Sequence, residues 1–300
     1  MSKENTAVTK KKMKRCKEDV VFDAACFIIL TLVLFVVAYP LYWVIISSIS
    51  APSAVSSGKV LLRPIGFTLK GYAEVFKNDQ VMRGFLNSLI ITFCGVMVNL
   101  IVTLPTSYAL SRSNFSGKKP ITIFYLITMF FGGGLIPYFM LIKGIGLYNS
   151  FLVYIIPSLY SVYNMIVLTN FFRGIDNSMR ESAMLDGANE FRIWWSLYMP
   201  VSMPALATVG LWLTVGHWNS YMPTLIYTKK DESMWLLQFY LMKIIKDTNL
   251  PDADPSISSE ISAKTISFAA IVISSLPIFL VYPFVAKYFT KGVMIGAVKG

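Results

Sequence analysis

Apolar residues run in blocks of about twenty along this chain, enough to cross a bilayer as a helix, and polar segments of very different lengths separate them. The first block covers residues 20–46 and ends in an aromatic zone at 40–49. Others follow at 85–110, 121–142, 151–172, 201–226 and 265–289. Each predicts one membrane-crossing helix, six in all, and so an all-α integral membrane protein. Pro105 interrupts the second block, Pro157 the fourth, and Pro277 and Pro283 the sixth, while Gly132-Gly-Gly134 and Pro137 lie inside the third. The polar links at 111–120 and 143–150 are short. Residues 51–83 form a loop rich in Ser, Pro and Gly, with a short helix expected at 71–78. The link at 227–264 is longer, and its apolar stretch at 235–245 reads as an interfacial or packed helix. Residues 1–19 and 290–300 flank a single membrane domain, 20–289. A secretory signal also begins with a basic region, but the first block is too long for one and has no convincing cleavage site.

One polar segment, 178–200, has a clear internal design. Ser178 followed three residues on by Glu181 reads as a capping box that begins a short helix. Asp186-Gly187 supplies a stop, since glycine accepts the left-handed conformation cheaply. Residues 188–198 predict a second short helix whose aromatic residues pack against the membrane-embedded chain. Pro200 and Pro204 bracket the entry to the next apolar block, as proline fits the first turn of a helix. The segment is a compact helix-turn-helix at a membrane surface.

Composition narrows the function. Only 14% of residues are charged, against about a quarter in soluble domains, and the mean hydropathy is +0.59. The net charge of +11 does not point to nucleic acid. Basic flanks are usual beside anionic lipid, and no basic patch is interleaved with aromatics. Cys16, Cys26 and Cys94 show neither a disulfide framework nor metal-ligand spacing. With the N-terminus cytoplasmic, 16 of the 27 Lys and Arg lie on the cytoplasmic side, which places 178–200 there too.

Catalysis is not expected. The chain has no phosphate-binding Gly-x-x-x-x-Gly-Lys-Ser/Thr loop, and His217 is its one histidine, so neither ATP hydrolysis nor a histidine-based metal site is predicted. No cofactor is expected. Polar residues within spans carry more weight, because they are costly in lipid. Asn87, Asn99, Asn164 and Asn170 read first as interhelical hydrogen-bond donors. His217, Trp218, Asn219 and Tyr221 cluster in the fifth span, with Trp218 and Tyr221 expected on one helical face. Two readings stand for this cluster: a sugar pathway, with Asn164 beside it, or an aromatic belt at the outer interface.

Glu181-Ser-Ala183-x-x-Asp186-Gly187-Ala188, followed by Pro200 and Pro204, resembles the cytoplasmic loop of permease subunits in bacterial ABC importers, with Ser182 where the usual pattern has Ala. Six spans, a long outer loop before the last, the stretch 131–150 and the tail 290–300 resemble the carbohydrate branch. They look like the second permease of maltose-type importers, oligo- and polysaccharide subgroup. The resemblance implies a type I importer permease fold with a cytoplasmic coupling helix in a bacterial cell membrane, both termini cytoplasmic. It implies that Glu181, Ala183, Asp186, Gly187, Ala188 and Pro200 serve ATPase coupling. The implied partners are a sister permease, an ATP-binding cassette ATPase dimer that binds the ATP, an extracellular or periplasmic solute-binding protein, membrane lipid and an oligosaccharide. Two alternatives remain: an importer permease for a peptide, polyamine or phosphate, and a secondary transporter, for which the spans lack ion-coupling carboxylates apart from Asp23 at an end.

Overall fold

The computed structural model describes residues 17–248 and 263–297, and every regular element among them is helical. The basic tail before residue 17, the last three residues and the acidic pair Asp252/Asp254 lie outside the described residues. Three helices are long and apolar enough to cross a membrane unbroken: α1 (Lys17–Ser48), α4 (Asp79–Ser111) and α13 (Ala263–Ala297). Two short helices lie between the first two, α2 (Pro52–Ser56) and α3 (Lys70–Lys77). The proline interruptions expected in the second and sixth blocks are absent, because Pro105, Pro277 and Pro283 sit inside continuous helices. Each proline removes one backbone bond, the one its missing N–H would have made to the carbonyl four residues earlier. Thr106 and Ser107 bond back to the Val102 and Thr103 carbonyls beside Pro105.

The other three apolar blocks are bent rather than straight. The third splits into α5 (Lys118–Phe130) and α6 (Leu135–Gly144) at 113°, so residues 121–142 are not one straight span. The break falls at the three glycines, where Gly134 takes φ +82°, a conformation that costs a side-chain-bearing residue about 1–2 kcal/mol. The fourth begins with two 3-10 turns, Phe151–Tyr154 and Ile156–Ser158, then bends 42° into α7 (Val162–Arg173). Pro157 and the Ser161 cap mark that bend. The fifth starts after α8 (Asn177–Leu185), with α9 (Glu190–Ile193), a π turn at Trp194–Tyr198 and α10 (Met199–Val201). It then turns 79° into α11 (Met203–Trp218). Two signals predicted here give way to neighbours. Asp176, not Ser178, caps α8, accepting from the Ser178 N–H at 3.0 Å. α11 ends at Trp218, so the fifth block is interrupted at 219–221 before a π turn at Thr224–Thr228. α12 (Leu237–Thr248) is the packed helix expected in the long loop, with Leu236, Leu237, Phe239 and Tyr240 buried.

Helix α4 is the central post. Hydrocarbon gives no hydrophobic reward for helix association, so close approach and interhelical hydrogen bonds must supply it. Gly84, Ser88, Gly95, Asn99, Thr103 and Ser107 form a buried stripe of small and polar residues down this helix at helical spacing. A Cβ on Gly95 would lie 2.5 Å from His217 Cε1, so α11 approaches α4 here to the limit that glycine permits. Ser88 accepts from the Leu237 N–H at 3.0 Å, capping the start of α12 from a neighbouring helix. Asn87 holds the Ser233 and Trp235 carbonyls of the long loop at 2.8 and 3.0 Å, and Asn99 holds the Ser158 carbonyl at 2.7 Å. Asn99 thus takes the interhelical role, while Asn87 ties α4 to a loop. α1 stands largely apart, its residues from 21 to 42 almost all exposed. Its indole Trp43 and phenol Tyr42 fasten the 60–62 loop, donating to the Val60 and Leu62 carbonyls at 2.8 and 2.6 Å.

Candidate functional site

The helix-turn-helix at 177–201 has two faces. Its turn is a C-terminal glycine cap with two bonds: Gly187 N–H to Met184 O at 3.0 Å and Ala188 N–H to Ala183 O at 3.0 Å. That pattern requires the left-handed φ of +78° at Gly187. Ala183 and Ala188, the residues brought together by the six-residue bond, are half-buried against an aromatic cluster. The cluster comprises Tyr108 and Leu104 from α4, Leu168 and Phe172 from α7, Ile175 just after it, Ile193 and Tyr198 from the segment itself, and Ala205 and Val209 from α11. Larger residues at 183 and 188 would lift the turn off this base. Asn189 caps α9, accepting from the Arg192 N–H at 2.8 Å, so the second helix starts at Glu190 rather than 188. Pro200 is exposed in the short α10, following the π turn to which it contributes no N–H.

Polar bonds reinforce the inner face. Tyr108 donates to Glu190 Oε2 at 2.7 Å, and Arg180 pairs with Glu190 Oε1. The hydrogen bond from Arg180, helped by Tyr108 and opposed by partial burial, holds the Glu190 carboxyl below its ordinary pKa. Arg112, just past α4, donates to Tyr198 OH at 2.7 Å and lies over the Tyr108 and Tyr198 rings at 4.8 and 4.5 Å. None of Tyr108, Arg112, Arg180, Glu190 and Tyr198 was singled out from sequence. The one local signal was Asn189-Glu190, a cap and first-turn acid directly after the glycine stop.

The outer face carries Glu181, Asp186 and Gly187, all exposed, with Met184, Leu185, Phe191 and Trp195 beside them. Leu185 is 89% exposed. The outer face is thus a surface of large apolar side chains edged by two carboxylates, on a packed base.

The second set of candidates is divided among three places. His217 and Asn164 are buried yet line one cavity of about 430 Å³, together with Tyr160, Trp212 and Ser220. No side-chain hydrogen bond ties either of them to another described residue. Asn219 and Tyr221 lie past the end of α11 and line a different cavity of about 630 Å³, with Gln238, Lys246 and Ser274. Trp218 is 3% exposed, donates to the Ser274 carbonyl at 2.8 Å and packs edge-on against Phe85. Trp218 and Tyr221 therefore do not share a helical face, because the helix stops between them. Trp212, one and a half turns before His217, lines the cavity with His217 and Asn164, as do Tyr154 and Tyr160.

No protein-family model matches the chain. Individual relatives do. The chain is 34% identical over 282 residues to the polygalacturonan/rhamnogalacturonan transport system permease protein YtcP of Bacillus subtilis (strain 168), covering 93% of this chain and 98% of that one. It is 26% identical over 268 residues to the diacetylchitobiose uptake system permease protein NgcG of Streptomyces coelicolor, covering 87% and 84%. It is similar in structure to a chain of a bacterial ABC transporter involved in the import of the acidic polysaccharide alginate. There the TM-score is 0.84 at 31% identity, over 92% of this chain and 99% of the other. With 34% identity over nearly the whole length of both chains, the chain belongs to the permease subunits of bacterial carbohydrate ABC importers.

Proposed function

We propose that this membrane permease couples to a separate ATP-binding cassette ATPase through the outer face of 177–201 and forms, with a sister permease, the pathway for an oligosaccharide or polysaccharide fragment. The two-faced loop is the observation that carries the reading. Its inner face is bonded to α4 and α7, while Leu185, Phe191 and Trp195 are left open. Leu185 and its apolar neighbours fill a groove on the ATPase, and Glu181 and Asp186 fix its register. ATP binds to that partner, so this chain needs no cofactor of its own. The predominance of basic residues in the flanks and links supports cytoplasmic termini and a cytoplasmic loop. A solute-binding protein delivers the cargo from the other side, and ATP-driven closure of the ATPase dimer opens the pathway by rigid-body motion.

The cavity with His217 and Asn164 suits a sugar. An imidazole and an amide without a side-chain hydrogen bond to any other described residue can bond hydroxyls, and Trp212 offers an aromatic face for C–H surfaces. Asn219 and Tyr221 serve a second station, while Trp218 supports the wall between α11 and α13. The relatives named for polygalacturonan and alginate favour an acidic polysaccharide fragment as cargo. The test is a pull-down of the tagged chain from mild detergent, followed by reconstitution with its partners. Recovery of a second permease and an ATPase whose hydrolysis responds to oligogalacturonate, and not to peptides, polyamines or phosphate, is expected. A chain recovered alone that transports in liposomes without ATP would overturn the reading.

A further inference from the structure

The C-termini of α4 and α7 exchange arginines. Arg112, the C-cap residue of α4, reaches the Phe172 carbonyl near the end of α7 at 3.5 Å. Arg173, the last residue of α7, reaches the Leu110 carbonyl of α4 at 3.3 Å. Each helix end leaves carbonyls without intrahelical partners and carries a partial negative charge, so each cation serves the other helix. Arg173 stops there. Arg112 goes on to bond Tyr198 OH and to lie within 4.8 and 4.5 Å of the Tyr108 and Tyr198 ring centres. Its own Ser111 hydroxyl accepts from two of its nitrogens at 3.0 and 2.9 Å, which fixes the guanidinium plane.

Arg112 therefore touches three bodies at once: the end of α4, the end of α7 and the π turn that leads from the loop into α11. The π turn matters because only the three-residue α10 separates it from the 79° bend into that span. A force applied to the loop's outer face has two routes inward. One is the covalent chain through Met199–Val201, interrupted at the bend. The other is the side-chain network, Tyr108 to Glu190 and the Arg112 clamp to Tyr198, which joins the loop directly to α4, the helix against which α7, α11 and α12 all pack; within it Arg112 also bonds the end of α7.

We propose that Arg112 is the positioning residue that carries movement of the loop into the membrane helices, so that ATP hydrolysis and cargo movement stay in step. The inference rests on the reading of 177–201 as the ATPase dock. Lysine cannot replace it, because a point charge on a flexible stem offers neither the planar fork nor ring stacking. Tyr198→Phe removes one hydrogen bond and keeps the ring, so it defines the smaller step.

The experiment uses the complete importer in proteoliposomes, with its binding protein and oligogalacturonate as probe, and measures cargo moved per ATP hydrolysed. Coupling energies between distant sites correspond to roughly 5–150-fold effects. Arg112→Ala is expected to retain the ATPase in the complex and its hydrolysis, and to lower cargo per ATP by at least about fivefold, the lower end of that range. Arg112→Lys should recover little of this, and Tyr198→Phe should show an intermediate loss. An unchanged ratio in an Arg112→Ala complex that still contains the ATPase overturns the inference while leaving the docking surface intact. If Arg112→Ala does not assemble, Tyr198→Phe decides, and an unchanged ratio there overturns it equally. A wild-type complex that lacks any ATPase defeats the docking reading instead.

Discussion

Tyr108 and Arg112, at the C-terminal end of α4, meet Glu190 and Tyr198 across a loop in a network that engages each of them. Thirteen residues earlier on the same helix, Gly95 presses against His217, which faces a cavity with Asn164 and Trp212 and bonds to neither. About 20 Å of helix separates the two regions. At the lower one, groups paired with each other define a single arrangement, as a part that transmits motion requires. At the cavity, under the sugar-pathway proposal, groups paired in advance would have to be broken for each hydroxyl that passed, at the full cost of an unmet buried bond. Rigidity and vacancy are thus assigned to different turns of one post.

The comparison breaks most sharply at the loop's outer face. Leu185 contributes almost nothing to the fold, being 89% exposed, so Leu185→Asp should leave the thermal midpoint of the purified permease unchanged. It should weaken retention of the ATPase about 30-fold or more, the scale of an interface anchor worth ~2 kcal/mol. Undiminished co-purification under stringent washing would show that contact lies elsewhere.

The upper region is sharpened by Gly95→Ala. The new methyl would meet the His217 ring at 2.5–2.9 Å, nearer than side chains approach, and overpacking of this kind costs typically about 1–3 kcal/mol. A lower melting midpoint in detergent is expected. His217→Ala in the same chain should restore most of it, because the ring is what the methyl meets. Additive losses in the double variant would mean that α4 and α11 are held apart by something other than this pair.

These regions were not equally legible in the sequence. The apolar blocks announced α1, α4 and α13, since twenty apolar residues have one structural use, and Asp186-Gly187 announced the turn through backbone chemistry alone. The bends were harder. Three glycines at 132–134 signal a break but not its 113°, and proline proved a poor guide, passing through α4 and α13 without interruption. The Tyr108–Glu190 and Arg112–Tyr198 bonds join residues 82 and 86 positions apart, beyond any local periodicity. The stripe from Gly84 to Ser107 was present in the sequence as a helical repeat of small residues. A reading that weighted hydrophobicity alone passed over it, because in lipid the buried face is the small and polar one.

The smallest expected effect tests whether the lower network is electrostatic in part. Glu190 is held below its ordinary pKa, first by the bond from Arg180. A carboxyl whose folded pKa is depressed stabilises the fold above its unfolded value of about 4.3, and loses that contribution as pH falls through the folded value. Its side chain is 50% exposed, so screening by water and salt keeps the term under about 1 kcal/mol. Glu190→Gln keeps the shape and can still accept from Tyr108, but removes the titrating charge. Its melting midpoint should lie slightly below that of the parent at pH 7. The gap should narrow as the pH is brought down through 4 at low salt, because the parent loses its own advantage while the variant does not change. A gap that stays constant across that interval would assign Glu190 a purely geometric part in holding the loop, with Arg180 contributing hydrogen bonds and no net charge effect.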